Sequence, residues 1–177
     1  MTMVKGALMN KQIQSADLLG SLKNPDFCDI KIQANDGEIP ASQLILSIRS
    51  EYFCAMFKNN CVESSSGLVK LPYPKTVVEK LITYLYMGEM VFEDLQLGLL
   101  LDLLDLLRLM NLSEDFKHVE SYVLDNITRG HFSDSDCLTN LDRSSMLRMD
   151  AVGETLLGYL RKHLQRLYQL KDVGSFV

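Results

Sequence analysis

The sequence predicts an α/β (α+β) domain followed by a short all-helical extension. Three observations point there. Ile30, Ile32 and Ala34 alternate with Lys31 and Gln33, and the turn-forming run Asn35-Asp36-Gly37 follows. Residues 75–87 and 94–110 carry apolar side chains at helical rather than strand spacing. From His131 onward the pattern is helical throughout.

Taken in order, residues 1–10 show no clear period, and a disordered start and an extra strand both remain open. Residues 12–22 read as an amphipathic helix with Ile13, Leu18, Leu19 and Leu22 apolar, stopped by Asn24-Pro25. The alternating strand and its turn return through Glu38-Ile39, and Pro40, lacking an N–H, closes the ladder. Ser42 caps a helix with Leu44, Ile45 and Ile48 at helical spacing, and Ser50 caps a second with Phe53, Met56 and Phe57 on one face. A polar loop spans 58–67. Leu68 to Leu71 is a short strand ended by Pro72. The helix over 75–87 has Val77, Val78, Leu81, Ile82 and Leu85 as a wide buried stripe, with Gly88 as its stop. Met90 to Phe92 fits one more short strand.

Residues 94–110 are the most apolar stretch. Gly98, Asp102, Asp105 and Arg108 draw one narrow polar stripe on a helix that is otherwise mainly Leu, so the helix is expected to be buried on most sides. Ser113 caps a helix to Ile127 with Phe116, Val119, Tyr122 and Val123 inward, ended by Gly130. Ser133 begins a short helix through Leu141, Ser144-Ser145 another over Met146, Leu147 and Met149, and residues 152–170 a long one with Leu156, Leu157, Leu160, Leu164 and Leu167 inward. The expected organisation is one domain over 12–130, a helical extension over 131–170, and tails at 1–11 and 171–177.

Composition narrows function. The 177 residues are 47% hydrophobic, enough for a full core, and the net charge of −5 argues against phosphate-backbone binding as the main activity. Cys28, Cys54, Cys61 and Cys137 form no CxxC pair, so zinc-site spacing is absent; reduced thiols, and hence a cytoplasmic or nuclear setting, are expected. Cys54 reads as a small buried hydrophobe. The apolar run at 94–110 is short and carries internal charges, a poor membrane span. His118, His131 and His163 lie in no metal-ligand pattern, and no nucleophile elbow, P-loop or dinucleotide fingerprint occurs. No enzyme activity and no cofactor are expected. The basic cluster Arg161-Lys162-His163, Arg166 and Lys171 is read as a solvated face at a helix C-terminus, with a phosphate or acidic-partner patch as the alternative.

The ordered set Phe27-Cys28-Asp29-Ile30, Ile39-Pro40-Ala41-Ser42-Gln43-Leu44-Ile45-Leu46, Ser50-Glu51-Tyr52-Phe53, Ala55-Met56-Phe57 and Tyr84-Leu85-Tyr86-Met87-Gly88 resembles the signature of BTB/POZ domains, over most of residues 18–127. Residues beyond 131 resemble, more weakly, the start of the BACK region that follows such domains in substrate adaptors. The resemblance implies a small mixed sheet surrounded by helices and a non-enzymatic protein-interaction module. It implies a homodimer built by the first helix, here Leu18, Leu19 and Leu22, with Asp29 near the interface.

The resemblance also implies a cullin-facing site. Members that act as adaptors for a cullin ubiquitin ligase carry a hydrophobic-x-Glu motif just after the Ala-Met-Phe helix, and this chain supplies Cys61 and Glu63 there, with Phe57 before them. Cys is a smaller apolar knob than the usual Met, Leu or Phe, worth ~1 kcal/mol less. A solvated loop is the bland alternative. The family usually follows Ala with His and a base that neutralises the Asp; this chain has Ala41-Ser42-Gln43. A buried Asp without a cation is costly. Asp29 is therefore expected to be exposed or held by neutral donors such as the Gln43 amide, which loosens the inference to a homodimer.

The implied partners are the N-terminal domain of a cullin scaffold and an unidentified substrate protein, with no nucleic acid and no membrane. The alternatives are a homodimerisation or scaffold domain of a transcriptional regulator that binds no cullin, and a monomeric Skp-like or elongin-C-like adaptor.

Overall fold

The computed structural model describes residues 18–22, 24–58 and 67–173, from 165 on as helical backbone only. The chain divides into two compact units: residues 1–94 with 109–111, and residues 95–108 with 112–177.

The first unit holds a three-stranded sheet in the order β2-β1-β3. Strand β1 (Ile30–Ala34) pairs antiparallel with β2 (Gly37–Ala41) and parallel with β3 (Leu68–Lys70). The alternation does what it predicts: Ile30, Ile32 and Ala34 are buried, Lys31 and Gln33 exposed. Pro40 does not close the ladder, because β2 runs on to Ala41. The amides of Lys31 and Asn35 donate to Gly67 and Tyr73, towards β3. Ile30, Ile32 and Ala34 therefore turn their polar groups to β2, so the Lys31–Pro40 pair makes no ladder bond and the missing N–H costs nothing.

Helices α1 (Gln43–Arg49) and α2 (Glu51–Lys58) follow β2, and α3 (Lys75–Met87) follows β3. The buried stripe of α3 is as predicted, with Tyr86 added to it, and Gly88 ends the helix at φ 77°. The expected strand at 90–92 does not form: these residues lie outside the strands described, and only Phe92 of the three is buried. Of the first predicted helix, residues 18–21 are described and helical; 12–17 lie outside the described residues.

The second unit is helical: α4 (Leu97–Leu109), α5 (Ser113–Arg129), α6 (Asp134–Met146) and α7 (Asp150–Val173). Leu112, not Ser113, occupies the N-cap of α5. Gly130 ends α5 at φ 72°, donating to Asn126 and Ile127 carbonyls. Ser133 caps α6 as predicted, its hydroxyl accepting from the Asp136 N–H at 3.1 Å. The break expected at Ser144-Ser145 does not occur. Ser144 is fully buried within α6, its hydroxyl turned back onto the Leu141 carbonyl at 2.7 Å, and Gly153 of α7 packs over it. In α7, Leu156 is buried and Leu160 half-buried, but Leu157 and Leu164 point outward; Leu167 lies where side chains are not described.

Candidate functional site

The residues around the β-hairpin position a surface on the first unit. Asp29, just before β1, is exposed, and its Oδ1 accepts the backbone N–H of Gln43 at 2.7 Å. Gln43 is the first residue of α1, so Asp29 supplies from a distance the cap that Ser42 does not: Ser42 holds the N-cap position without a side-chain bond. The expectation for Asp29 holds in both its forms, exposure and a neutral donor. The donor, however, is the main chain rather than the Gln43 amide. Tyr86, fully buried, accepts the Ser42 N–H on its hydroxyl at 2.9 Å. Burial pushes its phenol up. Asp36 of the hairpin turn likewise accepts the Lys75 N–H at 2.6 Å, at the start of α3. The hairpin thus carries two carboxylates that fix two helices by their N-termini.

Held this way, α1 buries Leu46 and turns Leu44 and Ile48 outward, at 67% and 72% exposure. The predicted apolar face of Leu44, Ile45 and Ile48 is the outer one, with Ile45 half-buried between. Leu18, Leu19 and Leu22 are all half-buried. The Cys28 thiol reaches the Ser21 carbonyl at 3.7 Å, and burial, then the Asp29 charge, pushes it up, so it stays a neutral thiol.

At the other end of the pair, α2 buries Phe53 and Phe57, their rings stacked with centroids 6.0 Å apart. Phe57, expected to face a cullin, is therefore a core side chain that holds α2 in place. The outer residues here are Ala55 and Lys58, with Cys54 half-buried rather than fully buried. Cys61 and Glu63 lie outside the described residues.

In the second unit the polar stripe of α4 is a seam against α6. Asp102 is buried and paired with Arg143, one carboxylate oxygen (Oδ2) having no partner among the described residues. Gly98 lies against Asn140, and Arg108 bridges Asp105 at 2.5 Å and the Leu147 carbonyl at 2.7 Å. Burial pushes the Asp102 carboxyl up against the opposing pull of Arg143. Of the basic cluster, Arg161 and Lys162 are exposed, while His163 Nδ1 lies 2.6 Å from Asp134; Arg166 and Lys171 are outside the described side chains. No group of His, Cys, Asp and Glu among the described residues is arranged to hold a metal ion. No described helix is long and apolar enough to cross a membrane.

This hairpin, helical pair and short mixed sheet match a known pattern: the BTB/POZ domain sequence profile covers residues 18–125. The chain belongs to the BTB/POZ domain family. That match crosses the division between the two units. Human Kelch-like protein 3 is 33% identical over 90 residues, covering 50% of this chain and 15% of that protein. Kelch repeat and BTB domain-containing protein 1 of vaccinia virus is 31% identical over 121 residues, 67% of this chain and 21% of that one. BTB/POZ domain-containing protein 9 of Drosophila melanogaster is 23% identical over 149 residues, 84% and 20%. The chain thus spans 15–21% of the length of these relatives. Among solved structures, the BTB domain of zebrafish PATZ1 superposes with a TM-score of 0.52 at 17% identity, covering 64% of this chain and 91% of that one, a likeness of fold. The BTB domain makes this a protein-interaction module.

Of the residues expected at interfaces, Leu18, Leu19, Leu22 and Asp29 lie in the first unit with α1. The outward Leu44 and Ile48 were missed. Four apolar residues within five positions, Leu44, Ile45, Leu46 and Ile48, let periodicity choose either face.

Proposed function

We propose that this chain is a non-enzymatic adaptor, coupling a substrate protein to the N-terminal domain of a cullin scaffold in a RING-type ubiquitin ligase. The observation that carries the reading is the 33% identity to Kelch-like protein 3, supported by the 31% identity to the vaccinia BTB-kelch protein. The position of Cys61 and Glu63, immediately after a helix anchored by buried Phe53 and Phe57, agrees with it. In this reading Cys61 is the apolar anchor, Glu63 its charged partner, and Phe57 sets the direction in which the chain leaves α2. A few buried anchors, rather than the polar rim, supply the affinity. Residues 131–170 act as a BACK-like extension that carries or orients the substrate site, in the cytoplasm or nucleus. Affinity capture from cell extract with wild type and Glu63→Ala side by side tests the reading. A cullin recovered by the wild type and lost with Glu63→Ala supports it; no cullin with either overturns it.

A second reading is favoured by Leu44 and Ile48, one turn apart and exposed beside the Asp29–Gln43 contact. Here the chain is a homodimerisation or scaffold domain whose interface joins this face of α1 to Leu18, Leu19 and Leu22. Light scattering on wild type, Leu19→Asp and Ile48→Asp tests it: either substitution is expected to lower the assembly mass below that of wild type, and a wild-type monomer, or a mass that neither substitution lowers, rejects it.

A further inference from the structure

Helix α7 presents a face that the BTB reading does not use. Asp150, Glu154, Leu157, Arg161 and Leu164 recur at spacings of four, three, four and three, and all five are exposed, Leu157 at 38% and Leu164 at 56%. That is the seam spacing of helices that pair side by side. The seam is polarised: its first two positions are acidic, and beyond Leu157 it is basic, with Lys162 beside Arg161. Among the described residues none of Asp142, Asp150, Glu154, Arg161 and Lys162 forms an ion pair. The acidic half also borders a groove of about 480 Å³ between α6 and α7, with Leu141, Met149 and Leu157 as its apolar lining and Asp142, Asp150 and Glu154 as its carboxylates.

We infer that α7 is a self-docking face: a second copy of this chain lies antiparallel along it, basic half against acidic half. A two-fold axis between Leu157 and Gly158 sets Glu154 opposite Arg161 twice, because an isologous contact repeats every pair. The two pairs are seven residues apart along each helix, about 10 Å. Leu157 of one copy meets Gly158 of the other, and a methyl group built on Gly158 would find no atom within 4 Å, so the surface there is open. Leu164 falls opposite Ala151, at the mouth of the groove beside Asp150. A parallel pairing would place Glu154 on Glu154 and Arg161 on Arg161, so charge selects the antiparallel arrangement.

The test is sedimentation velocity on the full chain, every variant carrying Ile48→Asp so that association through α1 is removed. The Ile48→Asp parent is expected to dimerise with rising concentration. Glu154→Arg and Arg161→Glu should each weaken the dimer by about tenfold or more, since each swap breaks two pairs and creates like-charge contacts. The double variant, Glu154→Arg with Arg161→Glu, should recover to within about threefold of the parent, because the pairs re-form with signs exchanged. All substituted side chains are exposed, and far-UV circular dichroism confirms that the helices persist. A parent that stays monomeric overturns the inference, as do single swaps that leave association unchanged or a double swap that fails to restore it. Single swaps without effect are also the outcome if the acidic groove takes a basic segment of another protein.

Discussion

The Asp29 carboxylate accepts the backbone N–H of Gln43 at 2.7 Å, closing the first turn of α1 from outside the helix. It explains how this chain keeps an Asp where the family's usual neighbouring base is a Gln. The charge stays exposed and meets a main-chain donor at the positive end of a helix, so no cation is needed.

Asp29→Ala should therefore lower stability by about 1 kcal/mol, as loss of a helix cap does. Gln43→Ala should change it by less than about 0.5 kcal/mol, because the donor is the main chain. Urea unfolding midpoints of the two variants check this. Equal losses would show that the Gln43 side chain holds Asp29 after all.

Tyr86→Phe removes the acceptor of the Ser42 N–H and should cost about 1 kcal/mol, measured in the same way. Little packing is lost, since only the hydroxyl goes.

Asp102 and Arg143 make a sharper case. Removing Arg143 leaves a buried carboxylate uncompensated, so Arg143→Ala should destabilise by about 2 kcal/mol, a figure held down because the Arg143 side chain is 44% exposed. Asp102→Asn should be close to neutral. The folded-state pKa of Asp102 lies above its unfolded value of about 3.9. The native state then binds more protons, so this group's contribution is most favourable below the unfolded pKa and falls as pH rises through the folded one. Unfolding free energies across that window should show the decline in wild type and a weaker one in Asp102→Asn.

A methyl group at Gly153 would come within 3.1 Å of the Ser144 hydroxyl, which is fully buried and bonded to the Leu141 carbonyl. Gly153→Ala alone should be destabilising or neutral despite the better helix former. Combined with Ser144→Ala it should be more stable than the two single effects sum to, by about 0.5–1 kcal/mol in a double-mutant cycle.

Much of this structure was legible in the residues. The hairpin followed from the alternation of Ile30, Ile32 and Ala34 and the turn after it, and α3 from an unbroken apolar stripe ended by Gly88. What failed did so where local pattern underdetermines tertiary contact. Met90 to Phe92 has strand-like residues, yet they lie outside the strands described, with Phe92 drawn into the core and Val91 left exposed. Leu44 and Ile48 share the period of a core face, yet the carboxylate of Asp29 turns that face outward. Ser144, a plausible cap, is instead buried because Gly153 leaves room for it. In α7, Leu156 and Leu157 cannot both face inward. The polar stripe of α4 was visible, but that it meets Asn140 and Arg143 depends on how α6 packs.

The central claim is that a cullin binds at the exit of α2, and titration calorimetry with the cullin's N-terminal domain addresses it directly. Wild type should bind with a dissociation constant at or below about micromolar, and Glu63→Ala should weaken binding by about tenfold or more. No heat at tens of micromolar protein, or an affinity unchanged by Glu63→Ala, would contradict it.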